Sequence, residues 1–187
     1  MLFYIFNSIR WRDLVFLFSL LTPFELQAQN KHRRDNYTGW SVRITQPIDS
    51  LVLHKSTRRL NAYSKKQFIK YYIVSLGEEP LGAKRVEGDM RTPEGLYYIN
   101  DRSRKSSYHA NLGISYPSLT DSLLARIYGQ SPGGEIKIHG FPNRHIKSQE
   151  NDFLNTDWTL GCIALHDFEI DELYDAVVMY CPILILP

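Results

Sequence analysis

The chain has 187 residues, of which 43% are hydrophobic and 22% charged, a balance typical of one globular domain with an added segment. Lys and Arg total 22 against 20 Asp and Glu, so the formal net charge is only +2. Because there is no basic block of the kind that binds phosphate backbones, the composition argues against a nucleic-acid partner.

The N-terminal end has the pattern of an export signal. Arg10 and Arg12 precede the apolar run LVFLFSLL at 14–21, and the small residue Ala28 follows. We interpret residues 1–28 as a secretory signal peptide cleaved after Ala28, with an uncleaved N-terminal anchor as the alternative. Either interpretation predicts an exported protein of the periplasm or cell envelope.

Short strand patterns dominate the rest of the chain. The polar residues 29–40 are predicted to be a flexible lead-in to a single folded domain over 41–187. Aromatic and β-branched residues concentrate in runs at 50–55, 58–63, 67–77, 95–100, 135–140, 161–165 and 182–186. Loops rich in Gly, Pro or polar residues separate them at 77–95, 129–135 and 141–158. The sequence therefore predicts a mainly β domain.

Two helices are predicted between these strands. In TDSLLARIYG, Thr120 or Asp121 can cap the start and Gly129 can end the helix. In DFEIDELYDAVV, Asp167 is a fitting N-cap, and the apolar residues recur at helical spacing. This second helix begins shortly after Cys162 and should fix the preceding strand to the core.

Cys162 and His139 are the residues best suited to covalent chemistry. A thiol attacks as its thiolate, so a catalytic cysteine needs a base or aligned N–H groups nearby. Gly161 allows close approach of a substrate to the backbone N–H groups around the cysteine. His139 precedes Gly140, whose carbonyl can fix the imidazole tautomer. These residues alone leave a nucleophile and a core cysteine as equal alternatives.

Two other roles for the cysteine are open. The sequence has two cysteines, and in an oxidising compartment Cys162 and Cys181 can form a disulfide. Zinc binding by Cys162, His139 and His166 is a formal alternative, but the paired ligand spacings of structural zinc sites are missing. We therefore predict no metal and no cofactor.

Four motifs in order favour the nucleophile. They are GDMRTPEGLYYI at 88–99, NLGISYPSLTD at 111–121, SPGGEIKIHG at 131–140 and DWTLGCIAL at 157–165. Together they resemble the YkuD-type L,D-transpeptidase catalytic domain of bacterial cell walls, in the branch of the murein-attachment and lipoprotein-release enzymes. The resemblance covers residues 50–187 and implies a β-sandwich or barrel with a few short helices.

The resemblance also implies roles for individual residues. Cys162 matches the acylated nucleophile, His139 the base, Gly140 the carbonyl that orients the base, and Gly161 the oxyanion region. Predicted substrate-binding positions are Arg91, Thr92, Trp158 and Thr159. For the first two of these, shaping a turn before a strand is the alternative role.

The sequence departs from the family pattern on both sides of the cysteine. Many members carry a histidine two residues before it and an arginine or asparagine two residues after it, whereas this chain has Leu160 and Ala164. Both departures remove polar groups, so substrate geometry or acceptor choice is expected to differ. The nucleophile and the base are retained.

The resemblance predicts acyl transfer from peptidoglycan stem peptides through a thioester on Cys162. The acceptor is a second stem peptide or an amine of a wall-attached envelope protein. One alternative is a hydrolase of the same fold that releases wall-linked peptides or proteins. The other is a non-catalytic wall-binding domain with a Cys162–Cys181 disulfide.

Overall fold

The computed structural model describes residues 44–187, so the predicted signal peptide and lead-in lie outside the described residues. The strands in this range are β1 (Ser50–His54), β2 (Arg59–Ser64), β3 (Gln67–Ile73), β4 (Gly95–Ser106), β5 (His109–Ile114), β6 (Lys137–His139), β7 (Ile163–Ala164) and β8 (Pro182–Leu186). The helices are α1 (Leu119–Ile127), α2 (Glu150–Asn155) and α3 (Asp167–Ala176), with 3-10 turns at Lys55–Thr57 and Lys147–Gln149. The prediction of a mainly β domain with a few short helices is confirmed.

The strands of the described range form one curled sheet in the order β3-β2-β1-β8-β4-β5-β6-β7. The pairs β1–β8 and β6–β7 are parallel, and the other neighbours are antiparallel. Just after β3, the Ser75 N–H donates to the Ala164 carbonyl at 3.0 Å, and the Ala164 N–H donates back at 2.9 Å. The two edges of the sheet therefore meet beside β7, two residues from Cys162.

The apolar core lies between the curled sheet and α3. Leu51 and Leu53 of β1 are buried, as their alternation with more exposed neighbours predicts. From α3, Ile170 and Leu173 complete the packing. Burying each such side chain contributes about 1.5–3 kcal/mol. None of the helices within 44–187 has the length and apolar character needed to cross a membrane.

Three elements, β4, β5 and α2, differ from the sequence-based expectation. β4 continues to Ser106, well beyond the predicted end at residue 100, because it pairs with β5, a strand that the sequence pattern does not predict. The helix α2 lies inside the predicted loop at 141–158. The residues that extend β4, DRSRKS at 101–106, are polar. Their strand conformation therefore comes from pairing with β5 across the hairpin rather than from an apolar alternation.

Helix caps also differ by one or more residues from those predicted. Ser118 caps α1, since its Oγ accepts from the Asp121 N–H at 3.2 Å and Asp121 Oδ2 accepts from the Ser118 N–H at 2.9 Å. Asp167 is the first residue of α3 rather than its N-cap. Its Oδ1 instead accepts from the Phe141 N–H at 2.7 Å, which ties the start of α3 to the segment just after β6.

Candidate active site

The parallel pairing of β6 and β7 brings His139 and Cys162 to one face of the sheet. Ile138 pairs with Ile163 and His139 with Ala164. Side chains alternate along a strand, so Cys162, two residues before Ala164, points to the same face as His139. Both side chains line one cavity of about 810 Å³.

The His139 ring is held in one tautomer. Its Nδ1 lies 2.7 Å from the Gly140 carbonyl oxygen. A carbonyl only accepts, so Nδ1 carries the proton and Nε2 keeps its lone pair. The ring centroids of Tyr108 and Trp158 lie 4.7 Å and 5.7 Å from that of His139. Burial lowers the pKa of His139, and the hydrogen bond to the Gly140 carbonyl opposes this shift. The lowered pKa favours a neutral imidazole, which is able to take up a proton.

Gly140 is fixed by contacts that exclude any larger residue. A Cβ at this position would lie 2.5 Å from Asp167 Oδ1 and 2.9 Å from the His109 Cβ. The Gly140 N–H is shared between the carbonyls of Tyr108 and Ala110, at 3.1 Å and 3.3 Å. The carbonyl that orients His139 is therefore part of a rigid backbone segment.

Cys162 is a partly exposed, free thiol. Its Sγ lies 3.5 Å from the Glu135 carbonyl oxygen, to which the thiol can donate a hydrogen bond. Burial raises the pKa of Cys162, whereas the backbone N–H and the ammonium of Lys137 act in the opposite direction. Both pKa shifts favour the neutral form of the side chain, which is a thiol for Cys162 and an imidazole for His139.

The turn before the cysteine is organised by Thr159. Its Oγ1 donates to the Cys162 carbonyl at 2.8 Å and accepts from the Gly161 N–H at 3.1 Å. Gly161 has φ +129°, and a Cβ on it would lie 2.7 Å from the Arg91 carbonyl oxygen. Glycine is therefore required here. An oxyanion role for Gly161 remains a prediction. It requires the Gly161 N–H to give up its hydrogen bond to Thr159 Oγ1 and to donate to the substrate oxygen instead.

The predicted substrate-binding residues divide into two groups. Trp158 and Thr159 line the cavity, whereas Arg91 and Thr92 are not among the residues that line it. Thr92 is completely buried, and its Oγ1 accepts from the Gly77 N–H at 3.1 Å. The contacts of Arg91 and Thr92 favour their alternative role, which is to shape the backbone behind Cys162.

Lys55 supports this backbone and has no signal in the sequence that would single it out. Its side chain is 2% exposed, and its Nζ donates to the carbonyls of Gly82 and Thr92 and to Glu94 Oε1, at 2.6, 3.0 and 2.8 Å. Burial lowers the pKa of Lys55, opposed by Glu94. Lys55 thus fixes the 82–94 loop, in which the Arg91 carbonyl packs on Gly161.

The geometry bears on the disulfide and zinc alternatives. Cys162 and Cys181 are both free, and β4, β5 and β6 stand between β7 and β8 in the sheet order. Burial raises the pKa of Cys181 to about 12.

Over residues 44–187 no three His, Cys, Asp or Glu side chains are grouped so that they could hold a metal ion. The His166 ring instead packs on Phe141 and Phe168, at centroid distances of 5.4 Å and 5.0 Å.

A cysteine and an oriented histidine that line one cavity are the residue types that covalent catalysis by a thiol uses. The profile of the YkuD family, L,D-transpeptidase catalytic domain, matches residues 49–185. The chain belongs to this family.

Individual known proteins are similar to this chain in sequence or in fold. The chain is 24% identical over 132 residues to "Putative L,D-transpeptidase YafK" of Escherichia coli K12, covering 67% of this chain and 45% of that protein. Its fold is similar to Bd1075 of Bdellovibrio bacteriovorus, with a TM-score of 0.52, 22% identity and coverage of 75% and 48% of the two chains. It is also similar to the helical cell shape determining protein Pgp2 of Campylobacter jejuni, with a TM-score of 0.53, 20% identity and coverage of 75% and 48%. The chain spans about half the length of these relatives.

Proposed function

We propose that this protein is an L,D-transpeptidase that acts on peptidoglycan stem peptides, with Cys162 as nucleophile and His139 as base. One observation carries the proposal: both side chains face one cavity, and the Nδ1 of His139 is held by Gly140, which leaves Nε2 for the thiol proton. Membership of the family supplies the reaction class.

The first half of the proposed reaction forms a thioester. Cys162 Sγ attacks the carbonyl carbon of the dibasic residue that precedes the terminal D-alanine, while its proton passes to Nε2 of His139. The carbonyl oxygen becomes an oxyanion, stabilised by backbone N–H groups near Gly161. The C–N bond then breaks, and the D-alanine amine leaves with the proton from His139.

The second half transfers the acyl group. An amine attacks the thioester carbonyl, gives a proton to His139, and the C–S bond breaks as the new amide forms. The sulfur recovers its proton from His139, so the enzyme returns to its neutral resting pair. If water enters instead, the same steps give hydrolysis, which is the alternative activity.

The cavity charges are compatible with such a peptide. Lys105, Lys137, Glu87 and Glu135 all line the cavity. A stem peptide with a dibasic residue carries both carboxylates and an amine, so it can meet opposite charges in the same cavity. Lys137 Nζ lies 2.7 Å from Glu135 Oε2, and an incoming carboxylate can share this partly exposed ammonium.

Free cysteines and the sheet order argue against the non-catalytic alternative. A disulfide would need Cys162 to leave the catalytic cavity and cross the sheet to Cys181. We further propose that the chain is exported by its N-terminal segment to the periplasm or cell envelope, as a peptidoglycan substrate requires.

The test incubates the purified protein with tetrapeptide-containing muropeptides and follows products and protein by mass spectrometry. Wild type is expected to form an acyl-enzyme on Cys162 and then crosslinked dimers or, with an added amine, the amide. Cys162→Ala abolishes both, whereas the matched control Cys181→Ala retains them. Tripeptide products alone identify a hydrolase, and full activity of Cys162→Ala disproves the nucleophile.

A further inference from the structure

Asn111 is a polar residue in a buried part of the active-site wall. It lies on β5, directly across from His139 of β6 in the antiparallel register. Paired residues of neighbouring strands point to the same face, so the Asn111 side chain stands beside the imidazole. Asn111 is 6% exposed, and its strand neighbours Ala110 and Leu112 are buried. A carboxamide placed here loses most of its contact with water.

Two buried polar atoms of this wall have no hydrogen-bond partner. Among the described residues, buried side-chain nitrogen and oxygen atoms without a partner are Asn111 Oδ1 and Trp158 Nε1. Leaving such a group unpaired costs about 1–3 kcal/mol. Both residues line the cavity of Cys162 and His139. This clustering at one site is what a ligand subsite requires, because defects of packing would be scattered through the core.

The chemistry of the two atoms selects a ligand class. A carboxamide oxygen only accepts a hydrogen bond, and an indole N–H only donates one. A carboxylate would leave Asn111 Oδ1 unpaired, and an ammonium would leave Trp158 Nε1 unpaired. A peptide backbone offers both N–H donors and carbonyl acceptors, so it can supply a partner for each atom.

We propose that Asn111 and Trp158 form a subsite that recognises a backbone amide of the donor peptide, next to the bond that is broken. This inference rests on the proposed function. The amide N–H donates to Asn111 Oδ1, and a peptide carbonyl accepts from Trp158 Nε1. The subsite fixes the donor relative to His139, so Asn111 is a specificity residue of the proposed reaction.

The variant Asn111→Leu separates this role from a structural one. Leucine has the same branched arrangement of side-chain heavy atoms and removes the unpaired oxygen. Its larger methyl groups can extend into the cavity that Asn111 lines, so the melting temperature should be retained or raised. The loss of one hydrogen bond to the donor should lower kcat/KM about tenfold, mainly through KM. Alkylation of Cys162 by iodoacetamide should be unchanged, because the thiol and His139 are untouched. Trp158→Phe keeps a ring beside His139 and removes only the second contact.

Donor analogues make the test specific for an amide. Each non-scissile amide N–H of a tetrapeptide donor is replaced in turn by an ester oxygen. One replacement should cost wild type about tenfold in kcat/KM and cost Asn111→Leu nothing further. Equal costs in both proteins, or an unchanged kcat/KM in Asn111→Leu, overturn the subsite. A fall in melting temperature without a change in KM also overturns it and assigns Asn111 to the fold, for example through a bound water.

The two proposals fail in different ways. If wild type forms no acyl-enzyme with any peptide, the proposed function is wrong, and the subsite falls with it. If wild type is active and every ester replacement lowers kcat/KM equally in wild type and Asn111→Leu, only the subsite is wrong.

Discussion

His139 Nδ1 lies 2.7 Å from the carbonyl oxygen of Gly140, and this contact leaves Nε2 as the ring nitrogen with a free lone pair. The same carbonyl segment is held by the backbone of β5 and by the Asp167 contact to Phe141. The imidazole of His139 is therefore held in place by the fold itself. In the proposed reaction, less ordering of this base would remain for the transition state.

The buried, neutral state of His139 predicts a loss of stability in acid. Burial lowers the pKa of His139 in the folded chain, whereas the unfolded chain takes up the proton at the ordinary value of 6.5. Below that value the unfolded state binds more protons, so the free energy of unfolding falls as the pH falls. Urea titrations at about pH 7.5 and about pH 5 should show that the free energy of unfolding falls more between these pH values for wild type than for His139→Gln.

His145 supplies a control of opposite sign. The Pro142 carbonyl, with help from Glu150, raises the pKa of His145, so its contribution to stability is present at low pH and is lost as the pH rises. His145→Gln should therefore make the fall in acid steeper than in wild type. If both variants respond in the same direction, the assigned states of these histidines are wrong.

Gly161→Ala should damage both fold and reaction. The new Cβ would meet the Arg91 carbonyl at 2.7 Å, and the φ of +129° disfavours any L side chain. We expect a loss of about 1–3 kcal/mol in the free energy of unfolding, measured with urea, and slower acylation of Cys162. Gly134→Ala is the matched control for stability, since a Cβ there meets nothing within 4 Å. Equal stability of the two variants would refute the required approach of Arg91 to Gly161.

Lys55→Met should loosen the loop behind the nucleophile. Removing the ammonium leaves Glu94 and the carbonyls of Gly82 and Thr92 without this donor. We expect a loss of about 2–4 kcal/mol, below that of a fully buried pair because Glu94 keeps some solvent access. The exposed Lys66→Met should change stability by less than about 0.5 kcal/mol. Acylation should slow in Lys55→Met only, and a rate equal to that of wild type would contradict a supporting role.

The sequence predicts the elements whose stability is local. β1 and β8 contain the short apolar runs LVL and ILIL, and α3 shows apolar residues at helical spacing, so the residues of each segment predict the element. The joint position of Cys162 and His139 follows from the resemblance rather than from the residues alone. Their 23-residue separation is closed by the parallel pairing of β6 and β7, which short-range patterns do not encode.

Other features depend on distant contacts and leave no local signal. β5 has buried residues at nearly every position because both faces are covered, so it lacks the alternation of a half-buried strand. Leu123 and Ile127 form an apolar face of α1, yet they are 52% and 77% exposed. Lys55 looks like an ordinary surface lysine until the chain brings Glu94 to it from 39 residues away.

Leu160 and Ala164 depart from the family pattern, and we expect the two positions to respond differently when each receives the residue found in other members. Leu160 lines the cavity and is 72% exposed, so Leu160→His should change the free energy of unfolding by less than about 0.5 kcal/mol. Ala164 is completely buried and pairs with His139, so Ala164→Asn introduces a carboxamide with no space and no partner. We expect that variant to lose about 1–3 kcal/mol and part of its acylation rate, because His139 is displaced. Urea unfolding and mass spectrometry of the acyl-enzyme check both, and a stable, fully active Ala164→Asn would show that β7 can accommodate the family residue without moving the base.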